Sequence, residues 1–247
     1  MRIWIFTSWL ENLSFLNTLK QYNHDIIVYM DQDVWPLDDK SIDFQDKYVK
    51  QATDFLLKEK KVDKILLPPM WELRYKDKDF ILPIYQNIIK QSLNYSLVWK
   101  IWLLGNDIDM DYVKEYIEKL DYKKNNRQKN IKIFNGFKIY KKNIWVWQYN
   151  IIVLWKRDWM IRKLIKTDLN KLLSFNIDTI LPTSYNVYYF ENIINQKKKN
   201  MRFQRVSNRE FLDKLLWDKN NKYSIEFIWN WNTNLFLKEK RWQILLK

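Results

Sequence analysis

Short apolar runs alternate along the chain with longer stretches in which apolar residues recur every three or four positions. The short runs are typical of buried strands, and the longer stretches are typical of amphipathic helices. The predicted strands are Ile3–Phe6, Asp25–Met30, Lys64–Leu67, Lys100–Leu104, Ile131–Phe134, Ile151–Leu154, Asp178–Leu181, Met201–Val206 and Ser224–Ile228. The first predicted helix starts at Ser8. The others cover Ser41–Lys60, Leu82–Leu97, Asp109–Leu120, Ile161–Phe175 and Phe211–Leu216. This alternation predicts an α/β fold, with parallel sheets covered by helices on both faces.

Local patterns also predict which residues are buried. In the second helix, the apolar spacing predicts a buried stripe of Phe44, Tyr48, Ala52, Phe55 and Leu56. The strand at Lys64 is expected to stop at the two prolines that follow it. The chain has one histidine, residue 24, which precedes a strand and is expected to lie on the surface.

The composition excludes several classes of protein. A chain of 247 residues that is 47% hydrophobic is long enough for one large domain or two small ones, and is too apolar for disorder. The chain has no run of about 18 apolar residues, so no membrane-spanning helix is predicted. The chain has no cysteine, so it has no disulfide, thiolate metal site or thiol nucleophile. We expect a cytoplasmic protein with no membrane partner, no bound metal and no phosphate-binding glycine loop.

The net charge of +14 raises the question of a polyanionic partner. The lysine clusters lie far apart in sequence, and the abundance of Lys, Asn, Ile, Tyr and Phe follows AT-rich codons. We therefore expect a solvated basic surface and consider a nucleic-acid partner unlikely. A basic nucleic-acid-binding protein stays an alternative interpretation.

Five segments, in chain order, carry motifs. They read IWIFTSWLENLSFL over residues 3–16, PLDDKS over 36–41, PPMW over 68–71, IWLLGN over 101–106 and DTILPTSYN over 178–186. They resemble the motifs Ile-Gly-x-Phe-Asp-Ser-Gly-x-Gly-Gly-Leu-x-x-Leu, Pro-Tyr-Gly-x-Lys-Ser, Ala-Cys-Asn-Thr, Ile-Gly-x-x-Gly-Thr and, one residue shorter, Asp-Thr-x-x-Leu-Gly-Cys-Thr-His-Tyr. These are motifs of the glutamate racemases, in the aspartate/glutamate racemase superfamily.

The resemblance implies two flavodoxin-like, doubly wound lobes with a cleft between them. It places residues 1–97 and 207–247 in the first lobe and residues 98–206 in the second. The family needs no cofactor, so none is expected here. Family members often form homodimers, so a homodimer is also a possibility to test.

The resemblance also implies that the catalytic residues are missing. The family moves the substrate α-proton with two cysteines, whose positions hold Pro69 and Thr183 here. The family's assisting Asp and His correspond to Thr7 and Tyr185. Proline has no titratable group, and a Thr hydroxyl is a weaker acid than a thiol and needs its own base. Candidate contacts for a small amino-acid carboxylate are Thr7, Ser8, Asp31, Pro36, Leu37, Asn106, Thr183 and Ser184.

The chain has 2 glycines and 14 tryptophans, an unusual ratio. Trp4, Trp9, Trp102 and Trp217 fall where the family has glycine. We hypothesise that several of these codons are UGA read as glycine. The alternative is a chain that is truly rich in tryptophan.

The function predicted from these residues is that of a catalytically degenerate glutamate racemase-like protein in cell-wall (peptidoglycan) precursor metabolism. An active cofactor-independent racemase or isomerase with a rearranged site is the main alternative. Asp31 follows a strand near the expected site, and a carboxylate there would act as a base only with a raised pKa.

Overall fold

The computed structural model describes residues 1–7, 16–22, 24–30, 37, 40–98, 100–104, 107–120, 132–136, 163, 166–167, 170, 174–183, 202–203, 213–214, 216 and 224–229. Its strands are β1 Arg2–Thr7, β2 Asp25–Met30, β3 Lys64–Leu66, β4 Lys100–Leu104, β5 Lys132–Gly136, β6 Thr179–Pro182, β7 Arg202–Phe203 and β8 Ile225–Trp229. Its helices are α1 Leu16–Leu19, α2 Ile42–Lys58, α3 Pro69–Arg74, α4 Ile84–Tyr95 and α5 Asp107–Lys119, with a 3-10 turn at Lys20–Tyr22. The predicted strand Ile151–Leu154 lies outside the described residues.

The strands form two parallel sheets, which confirms the predicted α/β class. The strand orders are β3-β1-β2-β8 and β5-β4-β6-β7, and every described pairing is parallel. The inner strands β1 and β4 are buried along almost their whole length, as expected for strands that are covered on both faces. Among the described helices, none is long and apolar enough to cross a membrane.

The chain separates into two compact units. The first comprises Met1–Pro68, Asp77–Leu82 and Arg209–Lys247, and the second comprises Pro69–Lys76 and Pro83–Asn208. Strand β8, near the end of the chain, pairs with β2 in the first unit. Helix α4 falls in the second unit, where it contacts β6, whereas the sequence-based division places it in the first lobe. That division stays a prediction about folding units.

Helix α2 buries a different face from the predicted one. Its buried residues are Gln45, Val49, Ala52, Thr53 and Leu56. The predicted stripe is right for Ala52 and Leu56, while Tyr48 is half-buried, and it is wrong for Phe44 and Phe55, which are 43% and 45% exposed. Two adjacent faces of this helix have helical spacing, and the smaller residues pack inward.

The surface prediction for His24 is also wrong. Its side chain is 2% exposed, and its Nε2 lies 2.7 Å from the backbone oxygen of Leu216. Because a carbonyl only accepts hydrogen bonds, Nε2 carries the proton. Nearby, the Tyr22 hydroxyl lies 3.0 Å from Oδ1 of Asp213. These two bonds attach the segment around residue 216 to the start of β2.

We expect His24→Phe to lower the free energy of unfolding by about 1–3 kcal/mol, because the buried Leu216 carbonyl loses its donor. Urea unfolding of the full chain measures this. His24→Gln, whose amide can still donate, is the matched variant and should lose less. Equal stability of His24→Phe and the unchanged chain would contradict the assignment.

Candidate functional site

In each parallel sheet, the carboxyl ends of the strands meet at one edge, where ligands bind in open α/β folds. In the first sheet, β1 ends at Thr7 and β2 at Met30. In the second sheet, β4 ends at Leu104 and β6 at Pro182. The predicted site residues follow these ends in sequence.

Four of the predicted site residues are described, and all four are buried. Thr7 is 1% exposed at the end of β1, and Leu37 is 2% exposed. Pro69 and Thr183 are buried as well. Ser8, Asp31, Pro36, Asn106, Ser184 and Tyr185 lie outside the described residues.

Pro69 is the first residue of α3, a position that suits proline because its fixed φ fits a helix and the missing N–H is not needed there. The two prolines after β3 therefore end the strand, as predicted. They also lead into a short helix that the sequence pattern did not predict. Pro69 therefore serves to start a helix, and its side chain has no titratable group.

Thr183 is tied to the end of the neighbouring strand. Its backbone N–H donates to the Leu104 oxygen at 2.8 Å, and its hydroxyl lies 3.4 Å from the same oxygen. The side chain is fully buried. A peptide carbonyl cannot take up a proton at neutral pH, so this partner does not activate the hydroxyl as a nucleophile or a base.

A buried carboxylate that the sequence analysis missed supports this edge of the second sheet. Glu72 of α3 is 0% exposed, and its two oxygens accept the backbone N–H groups of Tyr85 and Gln86, each at 2.8 Å. Helix α4 has no side-chain cap of its own at Pro83. Glu72 therefore caps α4 from 13 residues away, a spacing that matches no local capping motif.

Tyr85 connects that capped helix to the strand end. Its hydroxyl donates to the Pro182 oxygen at 2.7 Å, one residue before Thr183. The ring is fully buried. The position of Thr183 thus depends on a chain of contacts from α3 through α4 to β6.

Tyr85→Phe should lower the free energy of unfolding by about 1–2 kcal/mol, because the buried Pro182 oxygen loses its donor while the ring packing is kept. Chemical denaturation measures the loss. An unchanged midpoint and slope would contradict the role assigned to the hydroxyl.

Asp178, which opens the segment that resembles a family motif, has a structural role. Its carboxylate accepts from the Ser96 hydroxyl at 2.8 Å and from the N–H groups of Leu97 and Val98 at 2.6 and 3.2 Å. These bonds hold the turn between α4 and β4. The first residue of the motif is therefore committed to the donors of this turn rather than to a ligand.

Two pKa shifts in the described residues have a clear physical cause. The hydrogen bond from Lys119 lowers the pKa of the Glu115 carboxyl, and burial lowers the pKa of Lys20. Neither residue belongs to the predicted site. Within the described part of the chain, no three His, Cys, Asp or Glu side chains are grouped as a metal would require.

Comparison with solved structures shows what this arrangement resembles. A glutamate racemase isoform from Bacillus anthracis matches with a TM-score of 0.74 and 12% identity, covering 98% of this chain and 93% of its own. The glutamate racemase of Francisella tularensis, solved with D-glutamate, matches with a TM-score of 0.72 and 16% identity, covering 99% of this chain and 93% of its own. The glutamate racemase of Campylobacter jejuni matches with a TM-score of 0.70 and 16% identity, covering 100% of both chains.

Two comparisons of the sequence alone found no match. No family model matches the chain. No curated protein matches it at the level of sequence. At identities of 12% to 16%, the likeness establishes the architecture of the chain and not its chemistry. The chain has the fold of the glutamate racemases.

Proposed function

We propose that this chain is a glutamate racemase-like protein that binds a small amino-acid carboxylate without racemising it. The observation that carries the proposal is the state of Thr183, whose hydroxyl lies next to a peptide carbonyl rather than a base. The other cysteine position of the resembled family holds Pro69, which starts a helix. Neither side chain ionises near neutral pH.

Racemisation removes the α-proton from one face of the substrate and returns a proton to the other. The two groups must therefore change protonation state close to the working pH. A thiol, with a pKa of about 8.5, can be adjusted to do this, whereas an aliphatic hydroxyl needs an adjacent base. This difference supports binding without turnover.

Binding is chemically compatible with the same residues. The Thr183 hydroxyl can donate to Leu104 and still accept a hydrogen bond from a ligand ammonium group once the residues that bury it move aside. The racemase of Francisella tularensis was solved with D-glutamate, which makes that compound the first ligand to test. The proposed contacts are Thr7, Ser8, Asp31, Pro36, Leu37, Asn106, Thr183 and Ser184. A cytoplasmic role in cell-wall precursor metabolism, as a monomer or homodimer, forms part of the proposal.

The proposed function predicts binding without exchange. In D₂O, proton NMR of D- and L-glutamate with the full chain should show α-hydrogen exchange no faster than buffer, while calorimetry detects binding. Thr183→Ala should weaken that binding, whereas Thr53→Ala, in helix α2 of the first unit, should not. If the unchanged chain catalyses α-hydrogen exchange and Thr183→Ala abolishes it, the proposal is contradicted and an active racemase is supported.

A second part of the proposal is that several tryptophans are glycines in the natural protein. Trp4 and Trp102 are each the third residue of an inner strand, β1 and β4, and are 0% and 1% exposed. The buried Nε1–H of Trp4 has no hydrogen-bond acceptor among the described residues. An unsatisfied buried donor of this kind costs about 1–3 kcal/mol. UGG codons at these positions would exclude the idea.

A further inference from the structure

The excess positive charge of the chain lies entirely in one of its two compact units. The first unit has 18 Lys and Arg and 18 Asp and Glu, for a net charge of zero. The second unit has 25 Lys and Arg against 11 Asp and Glu, for a net charge of +14. A strong charge asymmetry between parts of one chain is a sign of a polyanionic partner.

A general drift toward AT-rich codons does not explain this division. Such a drift acts on the whole gene and would raise the lysine content of both units alike. The two units differ mainly in acidic residues, 18 against 11, although the second unit is the longer one. The asymmetry therefore calls for a cause specific to the second unit.

Basic residues also line up along one edge of the second sheet. Lys132 begins β5, Lys100 begins β4, and the two are register partners. Arg202 begins β7 and pairs with Thr179, the first residue of β6. Neighbouring strands lie about 4.8 Å apart, so Lys132 and Lys100 are adjacent at the amino edge of the sheet, and the start of β6 separates them from Arg202 in the same row.

The amino edge of the first sheet also has two basic strand starts, Lys64 of β3 and Arg2 of β1, but two acids, Asp25 and Asp63, lie beside Arg2. There, Arg2 at the start of β1 pairs with Asp25 at the start of β2. In the second sheet, Asp178 lies within the row, directly before β6, and its carboxylate accepts hydrogen bonds from three donors in the turn before β4. Neutral donors do not cancel the charge of Asp178, so the three basic residues and this one acid together leave a net charge of about +2 at this edge.

We propose that the second unit binds nucleic acid through its phosphate backbone, with the amino edge at Lys132, Lys100 and Arg202 as part of the contact. This edge lies opposite the carboxyl edge at Thr183, so the proposal does not rest on the carboxylate-binding function. The partner is recognised by charge, and sequence preference is expected to be weak. This proposal replaces the expectation of a merely solvated basic surface.

The first experiment measures the salt dependence of binding by fluorescence anisotropy with the full chain. The probes are single-stranded RNA, single-stranded DNA and duplex DNA of equal length, and they distinguish the possible sources of phosphate. If about four phosphates are contacted, the affinity for a single strand should fall by roughly 50-fold between 50 and 200 mM salt. Absence of binding at 50 mM salt to all three probes would overturn the proposal.

The second experiment compares two triple variants that remove equal charge. Lys100→Gln, Lys132→Gln and Arg202→Gln together should weaken binding at least about tenfold and lower the salt slope by about 2. Lys47→Gln, Lys50→Gln and Lys58→Gln, on helix α2 of the first unit, should change the affinity less than about twofold. Equal losses in both variants would contradict the assigned edge.

Lys100 also donates to the Phe175 oxygen at 2.8 Å, so the first triple variant carries a risk to folding. The double variant Lys132→Gln and Arg202→Gln keeps that bond, and circular dichroism checks both. Ultraviolet cross-linking of the unchanged chain to RNA gives an independent readout. Cross-links in peptides from residues 83–208 support the proposal, whereas cross-links confined to the first unit, or binding to anionic vesicles alone, overturn it.

Discussion

Glu72→Ala is expected to lower the free energy of unfolding by about 3–5 kcal/mol. The side chain is fully buried, and each oxygen accepts one backbone N–H at the start of α4, at 2.8 Å. Alanine leaves both donors, at Tyr85 and Gln86, buried or half-buried without this acceptor. The positive end of the helix dipole also loses the negative charge that stabilises it.

Two variants show whether the loss comes from the cap. Glu72→Gln keeps the volume and one acceptor oxygen, so it should lose less than Glu72→Ala. Glu115→Ala, on the exposed surface of α5 in the same unit, should leave stability nearly unchanged because its ion pair with Lys119 is exposed to solvent. Denaturant unfolding followed by circular dichroism measures all three. Equal stability of Glu72→Ala and Glu115→Ala would rule out the capping role.

The double substitution Trp4→Gly and Trp102→Gly is expected to leave the protein as stable as the tryptophan form, or more stable. If glycine is the natural residue, the space at each site suits a residue without a side chain. An indole then overpacks the site, at a cost of about 1–3 kcal/mol per site. If tryptophan is natural, each change creates a large cavity and costs about 3–5 kcal/mol or more. The two hypotheses therefore predict opposite signs for the same measurement.

Trp71→Gly is the matched control. Trp71 is 2% exposed, and the guanidinium of Arg74 lies 5.0 Å from its ring centre. It corresponds to a threonine, not a glycine, in the resembled motif. This change should cost about 3–5 kcal/mol. An equal loss per site in the double variant would reject the glycine hypothesis. An intact mass of the natural protein equal to that of the tryptophan-containing chain would also reject it.

The candidate site could be located from sequence only in part. The order of motifs placed Pro69 and Thr183 after strands, and both follow strands in the structure. The capping role of Glu72 had no sequence signal, because its partners lie on a helix that begins 12 residues later. Asp178 matched a motif, yet its hydrogen bonds are structural, since residue identity does not reveal which donors surround a carboxylate.

By itself, the sequence determined the α/β class and the positions of strands such as β1, β2 and β4, because runs of buried apolar residues depend only on neighbours in the chain. Only the tertiary structure decided which face of α2 is buried, since two adjacent faces have similar spacing and the packing surface selects the one with small residues. The same holds for His24, whose burial depends on Leu216, a residue 192 positions away. It also holds for the charge, because the net charge of +14 can be assigned to one part of the chain only when the structure shows which residues form the neutral unit and which form the basic one.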